Sequence, residues 1–128
     1  MTYTEQDLID EMEYVTKHEF MVVRHLTMTG PKYRTHIMND LIREYPDEMD
    51  HGPGLFGKEY SDDIYDAIRG LINEGVLSEV DDSDSREYSK LELTQYGRAL
   101  YDTIMAHPEV EIDEDLAEFI ERIEGASE

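Results

Sequence analysis

The sequence predicts a mainly α-helical (α+β) fold, in the order helix, helix, helix, helix, strand, strand, helix, helix. Two observations carry this prediction. Apolar residues recur at helical spacing in six segments, and each segment is bounded by a capping residue, a glycine or a proline. Between the fourth and fifth of these segments, two short runs with β-branched and leucine residues flank a polar loop, which is typical of a hairpin.

Three helices are predicted in the first part of the chain. The first begins at Thr4, where Asp7 completes a capping-box pattern three residues later. The second covers residues 17–28 and stops before a Gly-Pro pair. The third covers residues 32–45 and stops at a proline, which cannot continue a helix. Residues 46–60 are rich in proline and glycine, so they are predicted to form a loop rather than one regular element.

The remaining elements have equally clear boundaries. Ser61 is a good N-cap for the fourth helix, and Gly75 ends it as a C′ glycine. The strands are predicted over residues 76–80 and 88–94, and the threonine that ends the second strand caps the fifth helix. Asp113 caps the sixth helix.

Without the first and last helices, this order is that of a winged helix-turn-helix. The sequence therefore predicts a winged helix-turn-helix with extra N-terminal and C-terminal helices. Residues 1–16 would form the N-terminal helix, residues 17–106 the winged helix-turn-helix domain, and residues 107–128 an acidic C-terminal helix.

The chain is strongly acidic. Its 32 acidic residues outnumber 11 lysines and arginines, which gives a formal net charge of −21 at pH 7. An acidic, lysine-poor surface on an ordered chain favours a protein that works in multimolar salt, where ions screen the repulsion. We therefore expect a halophilic archaeal source. The alternative is an ordinary acidic protein with acidic ends.

Composition and motifs argue against several classes of protein. With no cysteine, the chain has no disulfide framework and no thiolate zinc site. No run approaches the ~18 apolar residues of a membrane span, and the first residues lack the features of a signal peptide, so a cytoplasmic protein is expected. No nucleophile motif, phosphate loop or compact metal-ligand spacing occurs. We predict neither an enzyme nor a cofactor or metal site.

A pattern of apolar, glycine and threonine positions runs from the end of the fourth helix to the start of the fifth. It consists of Leu71, Glu74, Gly75, Val76, Tyr88, Leu91, Leu93, Thr94 and Gly97. This pattern resembles the PadR-like winged-helix transcription regulators over roughly residues 17–106. With its charge balance, the chain is similar to small haloarchaeal regulators of this type, one of which responds to oxidants. The insert before the fourth helix departs from the family pattern.

The resemblance implies a regulator that binds double-stranded DNA, with the fourth helix as its recognition helix. The face opposite the apolar stripe presents Asp62, Tyr65, Asp66 and Arg69, of which the first, second and fourth share one stripe at helical spacing. Such a helix fits the major groove, where arginine reaches guanine acceptors. We expect Ser61 to join Tyr65 and Arg69 at the groove. Tyr60 and Lys58 lie at or just before the helix start, where phosphates are favoured. The alternative is a solvated helix face.

Other predicted DNA contacts come from the third helix and the wing. Lys32 and Arg34 open the third helix and are read as phosphate contacts, although a solvated helix start would look the same. Arg86 and Lys90 are the predicted wing contacts. The loop 81–87 carries four carboxylates beside its single arginine. We expect this acidic surface to hold K⁺ or other cations between the wing and the phosphates.

The first and last helices are short and amphipathic, and each would leave apolar surface on an isolated winged helix. The resemblance implies that such helices form a homodimer, which would place two recognition helices about one DNA turn (~34 Å) apart. The predicted dimerisation residues are Leu8, Met12, Leu116, Phe119, Ile120 and Ile123. The alternative is that both helices fold back onto their own domain.

Two other functions remain open. The chain could be a protein-binding winged-helix adaptor or an acidic mimic of DNA. It could also be a sensor with a ligand pocket at the dimer interface.

Overall fold

The computed structural model describes residues 3–53, 59–81, 89–106 and 112–126. Its helices are α1 (Glu5–Met12), α2 (Lys17–Thr29), α3 (Arg34–Glu44), α4 (Asp62–Asn73), α5 (Gln95–Ala106) and α6 (Glu114–Ala126). Its strands are β1 (Lys32–Tyr33), β2 (Gly52–Pro53), β3 (Glu59–Tyr60), β4 (Leu77–Asp81) and β5 (Ser89–Leu93). The predicted winged helix-turn-helix with an additional helix at each end is confirmed. Within these residues, no helix combines the length and apolar character that crossing a membrane requires.

The helix starts follow local side-chain chemistry. The Asp7 amide donates to Thr4 Oγ1 at 3.1 Å, and the Thr4 amide donates to Asp7 Oδ2 at 2.9 Å, which confirms the predicted capping box. A second capping box joins Thr16 and Glu19 at the start of α2. At α6, the Leu116 amide donates to Asp113 Oδ2 at 3.3 Å. Each cap satisfies amides that the first helical turn leaves unpaired.

Three antiparallel strands form the wing sheet in the order β1-β5-β4. In this sheet Lys32 pairs with Leu91, and Tyr33 pairs with Lys90. The prediction that residues 32 and 33 begin the third helix is wrong, because they pair with β5 as β1 instead. Tyr33 has an extended backbone and acts as the N-cap residue of α3. Pairing with β5 therefore determines the conformation of residues 32 and 33, although the sequence pattern around them is helical.

Residues 46–60 are not one regular element, as predicted. They contain a 3₁₀ turn at Pro46–Glu48 and the short pair β2–β3, in which Gly52 lies opposite Tyr60. Residues 54–58 lie outside the described part of the chain.

A junction of close contacts holds α4, the wing and α5 together. Thr94 Oγ1 donates to the Gly75 carbonyl at 2.6 Å and accepts from the Gly97 amide at 3.0 Å. Gly75 itself has a φ of 79°, a conformation that favours glycine. A Cβ atom on Gly97 would lie 2.3 Å from the Val76 carbonyl oxygen, so the close approach of these segments requires glycine at position 97.

The two terminal helices bury their apolar faces within their own chain. Helix α1 packs on α5, and α6 packs on α2. Leu8 and Met12 of α1 are buried, as are Leu116 and Phe119 of α6. The domain's own core therefore covers these four residues, which is the alternative that the sequence left open. Of the six predicted dimerisation residues, Ile120 and Ile123 are only partly buried.

Candidate nucleic-acid interface

Helix α4 has two sides of opposite character. Ile64 and Ile68 have no exposed surface, whereas Tyr65 is half-buried and Arg69 is exposed. This division confirms the predicted buried stripe and places the two polar positions on the outer side of the helix.

Ser61 does not lie on that outer side. Its side chain is fully buried, and Ser61 Oγ accepts from the Ile64 amide at 3.4 Å. Ser61 is therefore the N-cap that the sequence indicated, and the prediction that it also reaches the groove is wrong. A side chain that caps its own helix from a buried position is not available to a ligand.

Two arginines from different elements lie over the ring of Tyr65. The ring centroid lies 5.8 Å from Arg34 Cζ and 5.9 Å from Arg69 Cζ. The Tyr60 ring lies 6.1 Å from the Tyr65 ring. Guanidinium groups are attracted to the electron-rich face of an aromatic ring. The start of α3 and the outer face of α4 thus form one patch, the tyrosine–arginine cluster of Arg34, Tyr60, Tyr65 and Arg69.

Arg34 also has a carboxylate neighbour on the wing. Its Nη2 lies 3.3 Å from Glu79 Oε1, and the two side chains are 35% and 52% exposed. An ion pair this open to water contributes at most about 1 kcal/mol to stability. The pair is weak enough for a stronger anion to replace the carboxylate.

Lys32 forms an ion pair with a carboxylate on α3. Its Nζ lies 2.5 Å from Asp40 Oδ2, and His25 Nε2 lies 3.2 Å from the same oxygen. The hydrogen bond from Lys32 is the main cause that lowers the pKa of Asp40 below its usual value of 3.8. Lys32 therefore lies near the predicted surface but is already neutralised by its own chain.

Lys90 contacts an aromatic ring. Its Nζ lies 5.4 Å from the centroid of Tyr33, the residue opposite it in the β1–β5 ladder. The ring of exposed His36 lies 5.6 Å from the same tyrosine, nearly perpendicular to it. Sequence reasoning missed His36, although its position two residues after Arg34 in the first turn of α3 was a usable signal.

Two predicted contacts remain untested by this geometry. Lys58 and Arg86 lie outside the described residues, as do residues 82–87 of the acidic wing loop. The structure brings Arg34, Tyr60, Tyr65 and Arg69 together and places Lys32 and Lys90 on the adjoining sheet.

Solved structures share this arrangement of elements, although no family model and no curated protein sequence matches the chain. The chain has the winged-helix fold of transcription regulators. The transcriptional regulator Tm0710 from Thermotoga maritima has 15% identity and a TM-score of 0.55, over 95% of this chain and 68% of that one. The PcaV transcriptional regulator from Streptomyces coelicolor, solved with its natural ligand, has 18% identity and a TM-score of 0.52, over 94% and 84%.

A MepR-like protein complexed with pseudoligands has 18% identity and a TM-score of 0.53. The match covers 77% of this chain but only 58% of that protein, so the chain spans little more than half of its length. At such identities, the likeness establishes the fold and not the activity.

The C-terminal end of α4 is acidic. Burial and a hydrogen bond to Glu11 raise the pKa of Glu74 from 4.5 to about 7. Glu19, which is itself buried, adds to the repulsion. Two arginines and two tyrosines therefore lie on the outer side of α4 together with the exposed carboxylates of Asp62 and Asp66, whereas acids from α1 and α2 surround its C-terminal end.

Elsewhere in the described ranges, no three His, Asp or Glu side chains converge as a metal site requires. A cavity of about 150 Å³ opens between α2, α3 and α6. Arg24 and Tyr45 line it, and Arg24 Nη1 donates to the Tyr45 hydroxyl at 3.1 Å.

Proposed function

We propose that the protein is a sequence-specific, DNA-binding transcription regulator that acts as a homodimer at promoter sites. The observation that carries this proposal is the tyrosine–arginine cluster on the outer face of α4, in a winged-helix fold. In a chain of net charge −21, a surface where two arginines share one aromatic ring is a site suited to an anionic partner.

Each part of this surface has a proposed role. Arg69 and Tyr65 address base edges in the major groove, with Tyr60 beside them. Arg34 and Lys32 contact phosphates near the start of α3, and Lys58 does so ahead of α4. Lys90, with Arg86 beyond it, makes the wing contact.

The proposed homodimer uses the terminal segments 1–16 and 107–128. Since Ile120 and Ile123 are only partly buried in their own chain, α6 retains apolar surface for a two-fold mate. The finer identity, a PadR-like regulator of a halophilic archaeon that responds to oxidative stress, rests on the sequence pattern and the charge balance. Cation binding at the acidic wing belongs to the same proposal.

The decisive experiment is capture of genomic DNA fragments at molar KCl, followed by footprinting. The test variant is Arg69→Glu, and the matched control is Arg43→Glu, an exposed arginine near the far end of α3. We expect the wild type and Arg43→Glu to retain the same fragments. Arg69→Glu should lose at least about tenfold in affinity, since one base contact contributes ~1–3 kcal/mol and the reversed charge repels phosphate. Equal capture by all three proteins would refute the proposal.

A second candidate, an acidic adaptor or DNA mimic, is favoured by the net charge alone. It predicts that the same capture experiment retains no DNA with any variant, and that a protein partner is recovered instead.

A further inference from the structure

The cations of the interface fall into two kinds. Arg34 and Lys32 each contact a carboxylate, Glu79 and Asp40 respectively. Within the described ranges, Arg69 forms no ion pair with a carboxylate and contacts an aromatic ring. The first kind is electrically neutralised by its own chain, and the second kind keeps its full charge.

The two carboxylates come from different elements. Glu79 lies on β4 opposite Leu91, and Lys32 lies on β1 opposite the same Leu91. Asp40 lies on α3 itself, two turns beyond Arg34. A wing strand and the helix thus each supply one acid to a cation near the start of α3.

We propose that Glu79 and Asp40 are built-in competitors of the DNA phosphates. In the free protein, each carboxylate holds one cation, and a phosphate must take its place when the duplex binds. This inference rests on the proposed function and adds the way in which salt controls the same site.

The exchange changes the count of ions that binding releases. A cation that meets a phosphate displaces about 0.9 condensed counterions from B-DNA, which makes affinity fall with salt. When the cation leaves a carboxylate, that carboxylate becomes free to collect K⁺, which offsets part of the release. The cation also brings no bound chloride to release. A surface with such competitors therefore loses less affinity as the salt concentration rises.

Glu79 gives the cleaner test, because it is more than half exposed, whereas Asp40 also contacts His25. Glu79→Gln removes the competing charge and keeps the side-chain size. The control is Glu92→Gln on β5, which makes the same charge change beside a different surface. Duplex affinity is measured over a range of KCl concentrations, together with the melting temperature of each protein.

We expect Glu79→Gln to bind about two- to fivefold more tightly at the lowest salt, the range that one exposed ion pair contributes. Its plot of log affinity against log[KCl] should become steeper, by up to about 0.9 per protomer. Glu79→Asp should restore a slope close to that of the wild type. Glu92→Gln should raise affinity only through net charge and leave the slope change well below that of Glu79→Gln.

A Glu79→Gln slope equal to that of Glu92→Gln would overturn the inference while leaving the DNA-binding function in place. Tighter binding with an unchanged slope would also overturn it, since only general electrostatics would then be at work. If the wild type bound no duplex at any salt concentration, the proposed function and this inference would both fail. Asp40→Asn, tested at a temperature well below its melting point, should steepen the slope in the same direction.

Discussion

The start of α3 and the outer face of α4 use their cations differently. Near the start of α3, Lys32 and Arg34 lie against the carboxylates of Asp40 and Glu79. On α4, Arg69 lies against the ring of Tyr65. An aromatic ring orients a guanidinium without cancelling its charge, whereas a carboxylate orients and neutralises it. The difference suggests that α4 supplies attraction to an anion at once, and that α3 supplies it only after an exchange.

The largest expected effect comes from disrupting the close packing of α5 against the segment that joins α4 to β4. In Gly97→Ala, the new Cβ would lie 2.3 Å from the Val76 carbonyl oxygen, a backbone atom that cannot turn aside. We expect a loss of about 3 kcal/mol in the free energy of unfolding, at the upper end of overpacking costs. Chemical denaturation at fixed KCl measures it. The control Ala99→Gly, two residues along α5, should cost only about 1 kcal/mol. Equal costs for both variants would contradict the close-approach argument.

The second-largest effect is expected from removing the aromatic ring of Tyr65 on α4. Tyr65→Ala takes away the group that orients both Arg34 and Arg69, at 5.8 and 5.9 Å. We expect duplex affinity to fall about tenfold, because each exposed cation–π contact is worth ~0.5–1 kcal/mol. Tyr65→Phe keeps the ring and serves as the control, with little loss expected. If Phe were as damaging as Ala, the hydroxyl and not the ring would be the functional group.

The smallest expected effect concerns the acidic end of α4. The pKa of Glu74 is raised from 4.5 to about 7 in the folded protein, so the folded state holds this proton more tightly than the unfolded state. The contribution of Glu74 to the free energy of unfolding is therefore largest below pH 4.5, falls between about pH 4.5 and 7, and levels off above that range. Glu74→Gln should remove this fall.

At pH 8, we expect Glu74→Gln to be more stable than the wild type by about 1 kcal/mol, since solvent weakens the interaction at this partly open site. Denaturation at pH 5 and pH 8 in the same KCl concentration measures the change. The exposed Glu118 of α6 gives the matched control, and Glu118→Gln should keep the wild-type pH profile. A fall with pH that persists in Glu74→Gln would assign the titration to other groups, such as Glu11 or Glu19.

Local chemistry explains why most of the fold could be predicted. The caps at Thr4 and Asp113 and the C′ glycine at Gly75 act within a few residues, so the sequence around them is sufficient. Strand β1 could not be predicted in this way. Its two residues are extended because they pair with β5, which lies far along the chain, and no local pattern distinguishes them from a first helical turn.

The residues of the candidate site could likewise be predicted only where local sequence determines their position. Helical spacing placed Tyr65 and Arg69 on one face, because the buried stripe of α4 fixes which residues point outward. Ser61 was misassigned because a good N-cap and a good hydrogen-bond donor to DNA are the same residue type. Glu79 and Asp40 were missed because the chain has 32 acidic residues, and spacing does not indicate which of them meets a given cation.

The two-residue strand β1 has a consequence for the geometry of recognition. It joins the first turn of α3 to the wing by backbone pairing, with Tyr33 opposite Lys90. The start of α3 and the root of the wing are therefore linked directly by backbone pairing. Under the proposed function, a duplex would meet α3 and the wing at a spacing set by this pairing rather than as two independent elements. A groove of a different width would then have to deform to fit, at a cost that depends on its sequence.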